Sequence, residues 1–172
     1  ISVSEYLGNP GEEKVQNTWN YNFDGTQLKS VTEFNYVTDV LKKTESFRIQ
    51  DGLVKFDTAD FIKGNQQSIS HYTGNEGEEK VQRTFNYNFA ATEIKNTTIF
   101  TYDGNDALTE SITYRGELAW NNPPTTASVV PDEFKATDLD AEGNVVSGAA
   151  WHKRISVSEY LGNPGEEKVQ NT

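Results

Sequence analysis

The sequence predicts an all-β fold, built from tandem antiparallel hairpin and meander repeats, and three observations carry that reading. Apolar and aromatic residues alternate with polar ones at a period of two. Asp-Gly pairs punctuate the alternating segments. The first eighteen residues, ISVSEYLGNPGEEKVQNT, return unchanged as residues 155–172. Strict alternation marks antiparallel strands with one face half-buried, and Asp-Gly marks hairpin turns because Gly tolerates positive φ. An exact eighteen-residue recurrence marks an array, and a repeat decides a fold before any local signal does.

The elements follow in order. Val15, Trp19, Tyr21 and Phe23 fall on one side of the first long segment, opposite Lys14, Gln16, Thr18, Asn20 and Asn22. Leu28, Phe34 and Tyr36 alternate in the next, then Leu41, Phe47 and Ile49. Turns are expected at Asp24-Gly25, Asp51-Gly52 and Asp103-Gly104. The residue types agree, since Thr, Val, Tyr and Phe favour strands. Residues 4–36 laid on 70–102, a shift of 66, are identical at 20 of 33 positions, including the run EEKVQ. Each 154-residue period therefore holds two related subrepeats, residues 1–66 and 67–154, and residues 155–172 start the next period. The second is longer, with extra length around 116–154. Within it the Pro-rich stretch 121–133 breaks the strand rhythm, because proline cannot donate to a ladder. DLDAEGNVV then reads as a turn leading to a strand around 151–157.

Composition narrows the function. Hydrophobic residues make up only 34% while aromatics reach 12%, so apolar surface resides in rings rather than in an aliphatic core. A net charge of −11 repels phosphate backbones and argues against nucleic acid as a partner. Cysteine is absent, which removes disulfides and thiolate metal sites. Methionine is absent too and the chain starts with Ile, so it reads as a window on a longer array. No segment approaches the roughly 18 apolar residues of a membrane span.

The stretch IFTYDGNDALTESITYRGE resembles the YD repeats of Rhs-like and teneurin-like proteins. Tyr102-Asp103-Gly104 with Leu108 fits that pattern best, and Asp24-Gly25 with Leu28 fits in part. Tyr36, followed by Val-Thr-Asp, and Tyr87, followed by Asn-Phe-Ala-Ala, depart from it. The resemblance spans about residues 14–118. It implies long extracellular arrays of β-hairpins, elongated and solenoid-like or fibrous, and it transfers no catalytic residue.

Candidate sites are sparse. The aromatics Trp19, Tyr21, Phe34, Tyr36, Phe47, Phe85, Tyr87, Phe100, Tyr102 and Tyr114 read as a structural ladder packed inward, with Trp19, Phe34 and Phe47 and then Phe85, Phe100 and Tyr114 recurring every 13 to 15 residues. Asp138, Asp140 and Glu142 mimic the start of a calcium loop, but Ala149 stands where its closing Glu belongs, so a polar turn is the default reading. Asn96-Thr97-Thr98 is an N-linked sequon, and Thr125, Thr126 and Ser128 beside prolines suit O-linked sugars. His71 aligns with Glu5 in the sister copy, which gives it a structural role, and His152 is the other histidine. The pair Glu12-Glu13 recurs as Glu78-Glu79 and Glu166-Glu167, reading as a solvated strand start that discourages edge aggregation. No nucleophile elbow or phosphate loop is present, so the chain is read as no enzyme and as needing no cofactor, calcium being the one candidate. The expectation is a structural component of an acidic extracellular or cell-surface filament. Its partners would be copies of the same repeat, joined head to tail covalently or by strand exchange. The alternative is an adhesin stalk or glycan-binding module.

Overall fold

In the computed structural model, residues 1–49, 63–117 and 154–172 are described. They form β1 (Ser2–Leu7), β2 (Lys14–Tyr21), β3 (Leu28–Val37), β4 (Val40–Ile49), β5 (Lys63–Thr73), β6 (Lys80–Tyr87), β7 (Ile94–Tyr102), β8 (Leu108–Arg115), β9 (Arg154–Leu161) and β10 (Lys168–Asn171). All ten belong to one antiparallel sheet whose spatial order is the chain order. β1 and β10 do not pair with each other, so the sheet is an open meander. At about 4.8 Å per strand its nine steps extend roughly 43 Å.

Each subrepeat contributes four strands, β1–β4 and then β5–β8, and β9–β10 restart the cycle. The shift of 66 carries Trp19 onto Phe85, Val31 onto Thr97 and Phe34 onto Phe100. β5 begins at Lys63, so the sequence boundary between residues 66 and 67 falls inside a strand. The first strand of the next period, β9, begins at Arg154, within the stretch expected around 151–157. The Pro-rich stretch 121–133, the turn Asp51-Gly52 and His152 lie outside the described residues.

Cross-strand register divides the side chains between two faces. On one face Trp19 lies opposite Val3 and Val31, Val31 opposite Phe47, Phe85 opposite Ile69 and Thr97, and Ile99 opposite Ile112. On the other face runs a row of hydroxyls. Their oxygens pair across hairpins: Ser4 with Thr18 at 2.9 Å, Thr32 with Ser46 at 2.9 Å, Ser70 with Thr84 at 2.8 Å, and Thr98 with Thr113 at 2.9 Å. Such cross-strand pairs are the local unit of sheet stability.

This division corrects the single inward ladder of aromatics. Trp19, Tyr21, Phe47, Phe85, Tyr87 and Tyr114 share the first face, while Phe34, Tyr36, Phe100 and Tyr102 sit with the hydroxyls on the second. The cause is the register: Trp19 lies opposite Val31 and Phe85 opposite Thr97, and Phe34 and Phe100, three residues further on, fall on the other side by simple alternation. Register slips between Asn35 and Tyr36 and between Thr101 and Tyr102, among other places, let partner strands carry an extra residue. Of the ten aromatics, Trp19, Phe85 and Tyr114 are buried and the other seven are half-buried. Trp19 packs with Leu28 and Val31 in a fully buried cluster, with Tyr21, Phe47 and Ile49 against it. Truncating a buried ring of that kind costs about 3–5 kcal/mol. Phe23 is not in that core: it lies in the β2–β3 turn, 95% exposed.

The turns also differ in detail from their sequence signals. The β2–β3 turn uses Gly25 at φ +67, as expected of Asp24-Gly25, and Asn22 Oδ1 accepts the Thr26 and Gln27 N–H groups. At 103–107 the positive φ belongs to Asp106 (+69) rather than to Gly104, because Asp103 Oδ1 takes the Asn105 and Ala107 N–H groups and sets the turn itself. β3 and β4 are joined by Thr38 and Asp39 alone, both at positive φ, which is the two-residue hairpin geometry matched to strand twist. In the second subrepeat Ala91, at φ +56, occupies the position that Gly25 holds in the first copy. An L-residue there bears strain of about 1–2 kcal/mol. Ala91→Gly is therefore expected to raise stability by up to about 1 kcal/mol, after the extra chain entropy of glycine is deducted. Urea denaturation measures it; a loss of stability would contradict the turn assignment.

Candidate functional site

The recurring Gly-x-x-Gly-Glu-Glu segment builds the same turn three times. A Cβ on Gly8 would lie 2.7 Å from the Glu12 carbonyl oxygen, and on Gly74 2.5 Å from that of Glu78, so only glycine fits the close approach. The Asn9 carbonyl accepts the Glu12 N–H at 2.9 Å, matched by Asn75 and Glu78 at 3.0 Å and by Asn163 and Glu166 at 2.9 Å. In each copy the second glutamate turns back on the loop. Glu13, Glu79 and Glu167 each accept the N–H of Gly11, Gly77 or Gly165 through Oε2 at 2.9 Å.

What distinguishes the copies is the other carboxylate oxygen. Glu79 Oε1 accepts the backbone N–H of Leu41 at 3.0 Å, reaching from the start of β6 to β4 of the preceding subrepeat. Glu167 Oε1 does the same to Leu108 at 3.0 Å. Both N–H groups lie where regular pairing has run out, since β4 pairs with β5 only from Lys43 and β8 with β9 only from Glu110. The glutamate thus finishes a strand edge that the neighbouring strand leaves open, as buried or half-buried backbone groups require.

A tyrosine accompanies each clamp. The Tyr72 hydroxyl lies 3.4 Å from the Thr44 hydroxyl, and the Tyr160 hydroxyl 3.1 Å from that of Ser111, each spanning from one subrepeat to the one before. At the opposite end of the first junction, Arg48 lies 4.6 Å over the Phe89 ring and donates to the Phe89 carbonyl. Lys14 bridges turns along the sheet, 3.2 Å from Asp39 and 2.6 Å from Glu76, and Lys80 pairs with Asp106 at 2.6 Å. Among the described residues, the Glu79, Tyr72, Arg48 and Lys14–Glu76 contacts cluster at the junction between subrepeats, while the Lys14–Asp39 and Lys80–Asp106 pairs lie within one subrepeat. The sequence reading gave the Glu-Glu pairs only a solvated role. The usable signal was the recurrence of the turn GNPGEE, GNEGEE, GNPGEE, in which only Pro10, Glu76 and Pro164 differ.

Electrostatics follow this geometry. The Leu41 N–H holds the Glu79 carboxyl below its ordinary value, and the Leu108 N–H does so for Glu167. Burial, with the Glu167 charge and Tyr72 added, pushes the Tyr102 phenol up to about 12, and its hydroxyl donates to the Val81 carbonyl at 2.9 Å. His71 lies directly opposite Lys43 and Arg83 and edge-on to Phe85, with ring centroids 5.9 Å apart. Burial first, then the two cations, lowers its pKa. That environment suits a neutral packing residue.

The remaining candidates are placed as follows. Asn96 lies mid-strand in β7, half-buried, its Oδ1 accepting from the Asn86 amide at 2.8 Å, and Thr98 of the same sequon is the hydroxyl partner of Thr113. Asp138, Asp140, Glu142, Thr125, Thr126 and Ser128 lie outside the described residues. Among the described residues no group of three or more His, Cys, Asp or Glu side chains could hold a metal ion. Among them, too, no helix is long and apolar enough to cross a membrane, which says nothing of spans made by strands.

No family model and no curated protein matches the chain. Among solved structures it is similar to a protein of unknown function from Bacteroides fragilis NCTC 9343. The two share 14% identity, with a TM-score of 0.38 over 72% of this chain and 85% of that one.

The clamps give the protein a defined acid response. The folded pKa values of Glu79 and Glu167 are depressed, so their contribution is complete above the ordinary value of 4.5 and is lost as pH falls through the lower folded values. His71 adds in the same sense, because its depressed pKa makes protonation below 6.5 favour the unfolded chain. Thermal unfolding is expected to show a melting temperature that falls as pH drops below 4.5. The double variant Glu79→Gln, Glu167→Gln should flatten that drop while still folding at pH 7. An unchanged acid slope in the variant would remove the clamps from the account.

Proposed function

We propose that the chain is a section of a structural filament or fibre built from tandem β repeats, set at a cell surface or in an extracellular matrix. The observation that carries this reading is the junction. The same Glu-to-backbone and Tyr-to-hydroxyl contacts join the first subrepeat to the second and the second to the third, so the join is a property of the repeat. Contacts of this head-to-tail kind have no built-in stop and generate extended arrays, each unit resting on its neighbours. The resemblance to YD repeats supports the same setting, as does the acidic composition. The array is read as elongated, fibrous or solenoid-like, with copies of the repeat as partners and no nucleic acid.

The alternative, an adhesin stalk or glycan-binding module, draws on one feature. The hydroxyl row on the second face is flanked by the half-buried rings of Phe34 and Phe100. Glycan attachment at Asn96, Thr125, Thr126 or Ser128 and calcium at Asp138, Asp140 and Glu142 belong to this proposal as additions, not to its core.

Electron microscopy of the native material, joined to denaturing electrophoresis, tests the reading. Extended particles of uniform width are expected, with a band far above 19.3 kDa if units continue in one chain. Compact, monodisperse globules of one period would overturn it.

A further inference from the structure

The two faces of the sheet differ in charge. Among the described strands the carboxylates are Glu5, Glu33, Glu45, Glu110 and Glu159. Glu5 lies opposite Asn17, Asn17 opposite Glu33 and Glu33 opposite Glu45, two residues along from Trp19 and Val31. Glu110 lies opposite Glu159, two residues along from Ile112. All five therefore project from the first face. The described part of the second face holds hydroxyls, amides and aromatic rings, with Arg48 and Arg115 at one margin, opposite Ser30 and Asn96. At the other margin stand Tyr36, Tyr72 and Tyr102. The turns beside them carry Asp39, Glu76 and Asp106, whose charge Lys14 and Lys80 meet in part.

The second face is also the more open one. Trp19, Val31, Phe85, Thr97, Ile99 and Tyr114, all buried, belong to the first face. Phe34, Tyr36, Phe100 and Tyr102 on the second are only half-buried. We propose that the second face is where two copies of this chain pack against each other, as a two-sheet sandwich with its layers about 10 Å apart. In a chain of net charge −11 it is the face on which two copies meet without opposing strand carboxylates. Its polar groups are already bonded to one another. Besides the hydroxyl pairs, the Asn20 amide donates to the Ser30 hydroxyl at 3.2 Å and the Asn86 amide to Asn96 Oδ1 at 2.8 Å. Groups paired in this way lose little when water leaves them. A two-fold axis running across the strands, along the row of Thr18 and Thr32, reverses one copy. The arginine margin of each copy then lies over the tyrosine margin and acidic turns of the other, which suits cation–π and charge contacts. Nine strand steps of about 4.8 Å and strands of about eight residues present roughly 1,000 Å² per copy. The total of roughly 2,000 Å² reaches the top of the range for stable specific interfaces. This pairing is lateral. It goes beyond the filament reading, which concerns joins along the sheet, and holds or fails apart from it.

Sedimentation equilibrium of the full chain over a range of concentrations is expected to show reversible dimers. Thr32→Glu sets two carboxylates face to face across the axis and should raise the dimer dissociation constant roughly tenfold or more. Gln27→Glu adds the same charge in the β2–β3 turn, where the sister copy already carries Glu93, and should leave the constant unchanged. Circular dichroism and melting of dilute protein check that both variants keep the fold. A second readout uses a milder change, since the chain has no cysteine. Thr32→Cys places one thiol opposite its own copy, where a bismaleimide spanning about 10 Å is expected to give a dimer band. Gln27→Cys, in the turn, is expected to stay monomeric. Monomers at every concentration would overturn the pairing. So would equal cross-linking of the two cysteine variants, or an equal shift by the two glutamate variants. Extended native particles would in that event leave the filament reading standing as a single sheet. Cross-linking through Thr32→Cys alone, joined to compact native particles, would support the pairing and remove the filament.

Discussion

Every N–H and C=O along a strand edge needs a partner, and an open meander meets that demand with another strand, with a side chain or with water. This constraint organises the protein. Within a subrepeat the next strand arrives after a short turn, and pairing is complete along most of its length. Between subrepeats the connection is longer, register slips at bulges, and the tips of β4 and β8 extend past their neighbours. Glu79 and Glu167 supply the missing acceptors at those tips. The turn that carries each glutamate is held by two glycines at positive φ and by the same glutamate's second oxygen, so the acceptor is pre-positioned rather than recruited.

Packing follows from that backbone frame. Burial is concentrated at a few positions, such as Trp19, Val31, Arg83 and Thr97, and most other strand residues are half-exposed. The sister positions Val31 and Thr97 show how the frame tolerates change. Both are fully buried, and the threonine satisfies its hydroxyl by donating to the Gly116 carbonyl at 2.7 Å. A buried hydroxyl with a partner costs little, whereas one without would cost about 1–3 kcal/mol. The hydroxyl pairs on the opposite face satisfy one another in the same economical way.

Much of the fold was legible before any coordinates. Period-two alternation in KVQNTWNY and KVQRTFNY found β2 and β6, and the repeat at 66 and 154 residues fixed which strands correspond. Facing was less legible, because it depends on which residue of one strand stands opposite which of the next, and alternation within a single strand does not give that register. Phe34 and Trp19 look alike in sequence and occupy opposite faces. The Thr38-Asp39 hairpin lacked the glycine that advertises such turns. The junction was hidden for a different reason. A glutamate beside a strand start looks solvated in any one copy, and its bond to Leu41 spans 38 residues. The two copies at Glu79 and Glu167, each reaching back to the preceding strand, show what the residue does.

The central claim is that pairing runs unbroken through the unit junctions, so that neighbouring subrepeats behave as one body. Native-state amide hydrogen exchange measures this directly, since protection reports the local opening free energy of each N–H. The account requires the Leu41 and Leu108 amides, and those of β5 and β9 facing the preceding subrepeat, to be protected to the same order as amides inside β2–β3 or β6–β7. Exchange of Leu41 and Leu108 at the rate of exposed turn amides, with opening between β4 and β5 ahead of the rest of the sheet, would contradict it.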